Sequence, residues 1–493
     1  MAVDPTNPLA SLSDPSLFIS DAFVGGEWIK AKTTFDVLEP VKGSKISSVA
    51  NLERADIQRA IEHAAKAQTD FYASTTAAQR GNILRKWYEL VERNVRDLAI
   101  ILCLENGKTY AEAEGEVKYS ASFIKWFAEE APRAYGDTIP SSQPNTTVMT
   151  FKQPIGVCGI ITPWNFPAAM ITRKVAPALA AGCSVVIKPP SETPHSCLAL
   201  TKLAVEAGIP AACINVCTTK DRAAATELAT NPLINKLSFT GSTGVGKKLA
   251  GLASTTLKKM SLELGGNAAL IVFDDADLDI AVAGTMISKF RCTGQTCVCA
   301  NRIFVQRGIK EKFIAKLVEK VDSLNMGSGF DAKTTQGPLV NKAAVEKVNQ
   351  HVQDALSKGG KLRTGGAVGP GSGYFYKPTV ISGATTGMLV ANEETFGPLA
   401  LIWEFDTEEE AIKLANSTEF GLANYMFSRD VSRIMRVSQQ LQSGMVGVNT
   451  GLISAAETPF GGVKESGYGK EGSKYGLEEY QILKSVTIGN LQA

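Results

Sequence analysis

The stretch RCTGQTCVCAN, residues 291–301, places three thiols, Cys292, Cys297 and Cys299, in a glycine-containing loop between a helix-like and a strand-like segment. Such thiols serve as small buried hydrophobes, as part of a metal site, or as a nucleophile. A zinc site needs a fourth ligand that the neighbouring sequence does not supply, so no metal is expected. A thiolate can attack an aldehyde carbon, and its sulfur leaves readily enough for later hydrolysis. That chemistry needs a base and a donor for the developing oxyanion. In SLELGG, Glu263 stands between apolar residues at the end of a strand-like run. A carboxylate there is either a hydrogen-bonded structural acid or a base with a raised pKa. In ITPWNFP, Asn165 follows another strand-like run and reads as a turn former or as an amide donor to an oxyanion.

A second group of residues could hold a nucleotide. In FTGSTGVGKK, residues 239–248, Gly241, Gly246 and Lys247 satisfy most of a P-loop, but Lys248 stands where Ser or Thr must hold magnesium. The glycine spacing is also not that of the usual Rossmann fingerprint. Lying between the apolar run INKLSF and a helix starting near Val245, this turn either receives a phosphate on its amides and helix N-terminus or is merely a tight connection.

These residues need a scaffold, and the hydrophobic pattern supplies one. From about residue 156, strand-like runs alternate with helical ones through VCGIIT, SVVIKP, INVCTT and INKLSFT, which predicts a parallel sheet wound with helices. A second alternation follows Leu264, through AALIVF, ANRIFVQR, ALIWEF, ANYMFSR and MVGVN. Two α/β domains are expected, meeting near residues 261–266. Residues 53–70 and 76–100 read as amphipathic helices, the second with Ile83, Leu84, Trp87, Leu90 and Val91 on one buried face. Residues 136–154 and the C-terminal run 482–490 alternate polar and apolar and fit neither half. As lone edges they would aggregate unless paired, so they are expected to join a sheet in an oligomer.

Bulk properties narrow the partners. The 493 residues carry 51 basic and 49 acidic side chains, too even a balance to recruit nucleic acid or an anionic membrane. No apolar run reaches the roughly 18 residues of a membrane span. Lys30 is the first basic residue, so the N-terminal stretch lacks the charges of a secretory or transit signal and a cytoplasmic location is expected. Nine cysteines without a repeated framework suit a reducing compartment. His63, His195 and His351 are far apart and read as surface or cap residues, which leaves little for a histidine triad.

Considered together, TPWNFP, KPPSETP, FTGSTGVG, LELGG, GQTCVCANR, EETFGP and PFGGVKESG, in that order, resemble the aldehyde dehydrogenase superfamily from about residue 20 to the C-terminus. The resemblance implies a Rossmann-like dinucleotide-binding domain (1–135 and 155–262), a second α/β catalytic domain (263–465) and a small β oligomerisation element (136–154 and 466–493) in a dimer or tetramer. It implies Cys297 as nucleophile, Glu263 as general base, and Asn165 with the Cys297 amide as oxyanion hole. It places Thr162, Pro163, Trp164, Asn165, Lys188, Ser191, Glu192, Gly241, Ser242, Val245 and Leu264 along the cofactor, with Glu394 and Phe396 at its nicotinamide end.

Within the superfamily, MITRK, KFRCTGQTCVC and GLIS look most like the succinate-semialdehyde dehydrogenases. That likeness implies that Arg173, Arg291 and Ser454 hold the far carboxylate of the aldehyde, guanidinium groups being suited to charge-assisted, often bidentate bonds. Singly, each arginine reads as a solvated helix charge. The likeness also suggests a place in 4-aminobutyrate degradation; glutarate semialdehyde or a broad range of aliphatic aldehydes is the alternative. Many NAD-using relatives carry Glu where Ser191 stands, so NADP is expected to be preferred with NAD also accepted, although the neighbouring Glu192 could return an acid to the ribose. Cys299 reads equally as a packing thiol or as the partner of Cys297 in a reversible disulfide. A catalytically retired binding or structural protein is the non-enzymatic alternative, and intact Cys297, Glu263 and Asn165 speak against it.

Overall fold

The computed structural model describes residues 3–490, so the outermost residues of the expected cofactor domain (1–2) and oligomerisation element (491–493) lie outside the described residues. Five parallel strands, Val157–Ile161, Ser184–Lys188, Ile214–Val216, Ile234–Thr240 and Lys259–Glu263, form the centre of a first sheet. Val157–Ile161 lies in the middle: the next two strands are added on one side and the last two on the other. The order therefore reverses between Val157–Ile161 and Ile234–Thr240, and beyond the carboxyl ends of such a pair ligands bind. The Asn165 loop leaves the first of these strands and the Gly241 turn leaves the second. Val157–Ile161 is buried throughout, as expected of a sheet covered on both faces.

The second sheet runs, in spatial order, Lys361–Thr364, Thr379–Ser382, Leu399–Phe405, Arg302–Gln306, Ala269–Val272, Ala423–Phe427 and Met445–Val448, with only the first strand antiparallel. Lys259–Glu263 closes the parallel run of the first sheet and Ala269–Val272 opens the second, so LELGG is the link between them.

Several expectations change. The helix predicted over 76–100 is two, Ala77–Arg93 and Val95–Asn106, because the chain turns at Asn94. The first buries Leu84, Trp87 and Val91, while Ile83 and Leu90 are half-buried. His195 and His351 are buried rather than at the surface: His195 bonds Ser47 and the Ile19 carbonyl and stacks on Phe18, and burial holds its pKa down at about 4. His351 bonds Thr395 and Glu393.

The two leftover segments pair with each other within one chain. Gln481–Ile488 runs antiparallel to Thr147–Pro154 over its whole length, and Thr138–Pro140 adds a third strand. Residues 466–480, assigned by sequence to the same element, stay with the main body. Gly467–Tyr468 extends the first sheet beside Lys259–Glu263, and the following segment carries the buried Glu471. Among the described residues no helix is long and apolar enough to cross a membrane.

Candidate active site

Helix Leu278–Phe290 delivers the thiol loop, and three consecutive residues then take left-handed backbone: Cys292 (φ 51°), Thr293 (φ 57°) and Gly294 (φ 70°). For a β-branched residue such as Thr293 this is a strained conformation that surrounding bonds must enforce. Glu112 accepts from the Cys292 amide at 2.7 Å, and the Thr293 hydroxyl donates to the Gly337 carbonyl at 3.0 Å. At Gly294 any Cβ would lie 2.2 Å from the Gly397 carbonyl oxygen, so only glycine lets the loop pass.

Cys297 emerges from this turn half-buried. Burial pushes its thiol up to about 12, with Glu394 and Glu263 acting in the same direction and Arg173 against them. The resting group is the neutral thiol. A thiolate fraction well below its pKa grows tenfold per pH unit. Alkylation of Cys297 by iodoacetamide in the cofactor-free enzyme is therefore expected to rise about tenfold per unit from pH 7 to 10 without a plateau. Levelling near pH 8.5, as for an ordinary thiol, would contradict this environment.

Glu263 ends the strand Lys259–Glu263 and is 2 % exposed, with neither carboxyl oxygen hydrogen-bonded among the described residues. Burial raises its pKa well above the ordinary carboxylate range; Glu471 adds to the rise, and Arg173, Lys174 and Lys470 oppose it. The glycines after it have a steric reason. A Cβ on Gly266 would fall 2.3 Å from the Cys297 carbonyl oxygen, so this link passes directly against the Cys297 backbone.

Asn165 is buried in the loop after Val157–Ile161, its amide nitrogen donating to the Gln295 carbonyl at 3.0 Å. That nitrogen has a second hydrogen to give, and the amide oxygen has no partner among the described residues. Asn106 and Lys108 hold the Trp164 and Asn165 carbonyls at 2.9 and 2.8 Å, fixing the loop from beneath.

Two cavities meet at the thiol. One, of about 340 Å³, is lined by Tyr119, Phe166, Arg173, Arg291, Ser454 and Phe460 among others. The other, of about 250 Å³, is lined by Trp164, Asn165, Gly241, Ser242, Glu394 and Phe396 among others. Among the described residues Cys297 alone lines both. A thiol reached from two sides can bond a carbonyl carbon in one chamber while a second reactant approaches from the other.

A sequence profile described as the aldehyde dehydrogenase family matches residues 28–486. The chain belongs to the aldehyde dehydrogenase family. It is similar to a glutarate-semialdehyde dehydrogenase of Pseudomonas aeruginosa, 51% identical, with 97% of this chain and 100% of that one covered. It is equally similar, at 51% identity over 97% and 99% of the two chains, to the succinate-semialdehyde dehydrogenase [NADP(+)] of Escherichia coli. Among solved structures, a succinate-semialdehyde dehydrogenase from Burkholderia pseudomallei superposes with a TM-score of 0.96 at 51% identity, covering 97% of this chain and 100% of that one.

An aldehyde dehydrogenase draws its oxidant from a dinucleotide, and the second cavity fits one. Ser242 precedes the helix Thr243–Ala253 and makes no capping bond, so its hydroxyl and the first-turn amides are free to meet a diphosphate. The buried Thr162 hydroxyl likewise has no partner among the described residues. A Cβ on Gly241 or Gly246 would lie 2.4 Å from the Phe239 ring tip or a Leu264 methyl, so that side chain would have to shift to admit one. Val245 lies exposed on the first turn. Trp164 and Phe396 meet edge-to-face at 5.5 Å. Glu394 accepts from the Gly266 amide at 3.1 Å, and burial raises its pKa to about 7.

Not every expected residue joins this aldehyde dehydrogenase site. Ser191 and Glu192 line a separate cavity of about 160 Å³ with Lys220, the Ser191 hydroxyl bonded to Glu192 at 3.1 Å. Lys188 is half-buried at the end of its strand, its pKa lowered by burial against the opposing Glu192. Cys299 lines neither cavity at the thiol: it is buried, its sulfur 3.3 Å from Lys289 Nζ. Cys292 lines the larger cavity. Sequence reasoning missed Tyr119, whose hydroxyl bonds Ser454, and Lys347, which lines the smaller cavity at the thiol and donates to the Glu394 carbonyl at 2.6 Å. Among the described residues no cluster of His, Cys, Asp and Glu is arranged to hold a metal ion.

Proposed function

We propose that this aldehyde dehydrogenase oxidises succinate semialdehyde to succinate through a covalent adduct on Cys297. The observation that carries the reading is the larger cavity, which is lined by Cys297 together with Arg173, Arg291 and Ser454. Arg173 is buried and Arg291 exposed, so the first supplies a desolvated cation and the second a solvated one. An aldehyde with a distant carboxylate spans such a chamber with each end matched.

In this reading the Cys297 sulfur, as thiolate, adds to the aldehyde carbon, and the oxygen that becomes negative is met by the Asn165 amide and the Cys297 backbone N–H. A nicotinamide dinucleotide in the neighbouring cavity supplies the acceptor for the hydride. The carbon is left as a thioester on Cys297. Glu263 takes a proton from water as that water attacks the thioester carbon, the C–S bond breaks, and the acid leaves. Glu263 is suited to this because its raised pKa makes it a stronger base than a solvated carboxylate once ionised.

NADP is the proposed preferred cofactor and NAD a weaker one, supported by the uncharged Ser191 after Lys188 and by the NADP named for the Escherichia coli relative. Glutarate semialdehyde, one methylene longer, is the second reading, favoured by the equal identity to the Pseudomonas aeruginosa enzyme. The small three-stranded sheet exposes Phe151 and Ile482 on one face and Ile139 and Leu483 on the other, which supports self-association through this sheet.

The test compares kcat/KM for succinate semialdehyde with that for butanal, using NADP and then NAD. Succinate semialdehyde is expected to win, and Arg173→Ala to lower its kcat/KM by about 10- to 100-fold more than that of butanal, because any effect of Arg173 on Cys297 and Glu263 is shared by both aldehydes. Equal values for the two aldehydes in the unaltered enzyme would remove the carboxylate reading. A higher kcat/KM with NAD would reverse the cofactor assignment.

A further inference from the structure

One arginine of the larger cavity is held by a segment nearly three hundred positions further along the chain. Phe460 and Glu471 form an isolated antiparallel bridge, each backbone N–H donating to the other's carbonyl at 2.8 Å. Both send a side chain to Arg173. The Phe460 ring centre lies 4.0 Å from the guanidinium carbon, and the Phe123 ring lies 5.5 Å from it. Glu471 forms an ion pair with Arg173 Nε through one oxygen and with Lys174 Nζ through the other.

The carboxylate is thus tied to two buried cations and cannot swing away without stranding one of them. The guanidinium is fixed at its face by the ring and along one edge by Glu471. Its Nη2 is buried without a hydrogen-bond partner among the described residues, and Nε meets Glu471 as an ion pair without an aligned hydrogen bond. A buried cation with unused donors beside a cavity is costly until an anion completes it. Arg173 and Phe460, one of the two residues that hold it, both line the cavity containing Cys297.

We propose that the Phe460–Glu471 bridge is a specificity device: it fixes the Arg173 guanidinium so that its unused donors receive the far carboxylate of the aldehyde. Glu471 and Phe460 are then positioning residues for substrate choice. The inference rests on the carboxylated-aldehyde reading above and adds to it how the arginine is aimed. It also gives residues 466–480 a role in the catalytic body.

The test is the ratio of kcat/KM for succinate semialdehyde to kcat/KM for butanal. A change in the thioester-cleaving step, transmitted from Glu471 through Lys174 or Glu263, affects both aldehydes and cancels in this ratio. In Glu471→Gln the ratio is expected to fall about tenfold, through a raised KM for the semialdehyde. In Phe460→Leu, which keeps apolar volume and removes the ring, it is expected to fall about fivefold. A Glu471→Gln ratio equal to or above that of the unaltered enzyme overturns the proposal. Should that variant not fold, the Phe460→Leu ratio decides in the same way. An unaltered enzyme that does not discriminate between the aldehydes overturns the underlying reading instead.

Discussion

Replacing Cys297 with alanine is expected to lower aldehyde oxidation by about four orders of magnitude or more, while dinucleotide affinity and thermal unfolding change little. The size follows from removing the atom that carries the substrate: without the sulfur no covalent step remains, and losses of this order accompany removal of nucleophiles that act as part of a unit. Stability is spared because the side chain is small and half-buried between two cavities, so truncation opens little new void. Steady-state assay, cofactor titration by fluorescence and a melting curve check the three parts. Residual activity within tenfold of the parent would show that another group performs the attack.

Glu263→Gln is expected to separate the two halves of the reaction. The glutamine is nearly isosteric and sits in a site where neither carboxyl oxygen has a partner among the described residues, so little structural bonding is lost. As no base remains for the hydrolytic water, the first turnover proceeds and the second waits. A stopped-flow record at 340 nm is expected to show a burst of about one reduced cofactor per active site, followed by a steady rate about 10³-fold below the parent. In the parent enzyme, where hydrolysis limits the rate, activity should rise with pH as Glu263 loses its proton. The midpoint should lie above the ordinary carboxylate range, because burial and Glu471 raise its pKa. Absence of a burst with an unchanged steady rate would remove Glu263 from that step.

How much of this was legible before any coordinates depended on the length scale of each feature. FTGSTGVG could be read because its glycines sit at a turn bounded by the apolar strand Ile234–Thr240 and the helix Thr243–Ala253, with Gly241 packed against Phe239 of that strand. The alternation of apolar runs gave both parallel sheets, since strands buried on both faces have an unmistakable pattern. The antiparallel additions at their edges were missed because they are short: Ala22–Val24 is buried but only three residues long, and Glu27–Ile29 and Lys361–Thr364 are also largely exposed. Helices Val95–Asn106 and Tyr110–Glu130 were obscured for the opposite reason: the first is buried on nearly every face and shows no clean period.

Within the site, Cys297, Glu263 and Asn165 each leave a strand or helix end that the pattern marks. Lys347 gave no signal, since an exposed lysine on an amphipathic helix reads as a solvated charge. The Lys174–Glu471 pair joins residues 297 positions apart, a relation no local pattern can express. Ser191 follows Lys188 by three residues, and its side chain bonds Glu192 and lines a smaller cavity with Lys220.

The most direct test of the account uses Glu263→Gln enzyme mixed with NADP and succinate semialdehyde, quenched in acid after the burst and analysed by peptide mass spectrometry. A succinyl thioester on the peptide carrying Cys297, released by hydroxylamine and absent when either reactant is omitted, is the expected result. An enzyme that has produced reduced cofactor while that peptide stays unmodified, or that carries the acyl group on Cys292 or Cys299, would contradict the assignment of Cys297 as the acyl carrier.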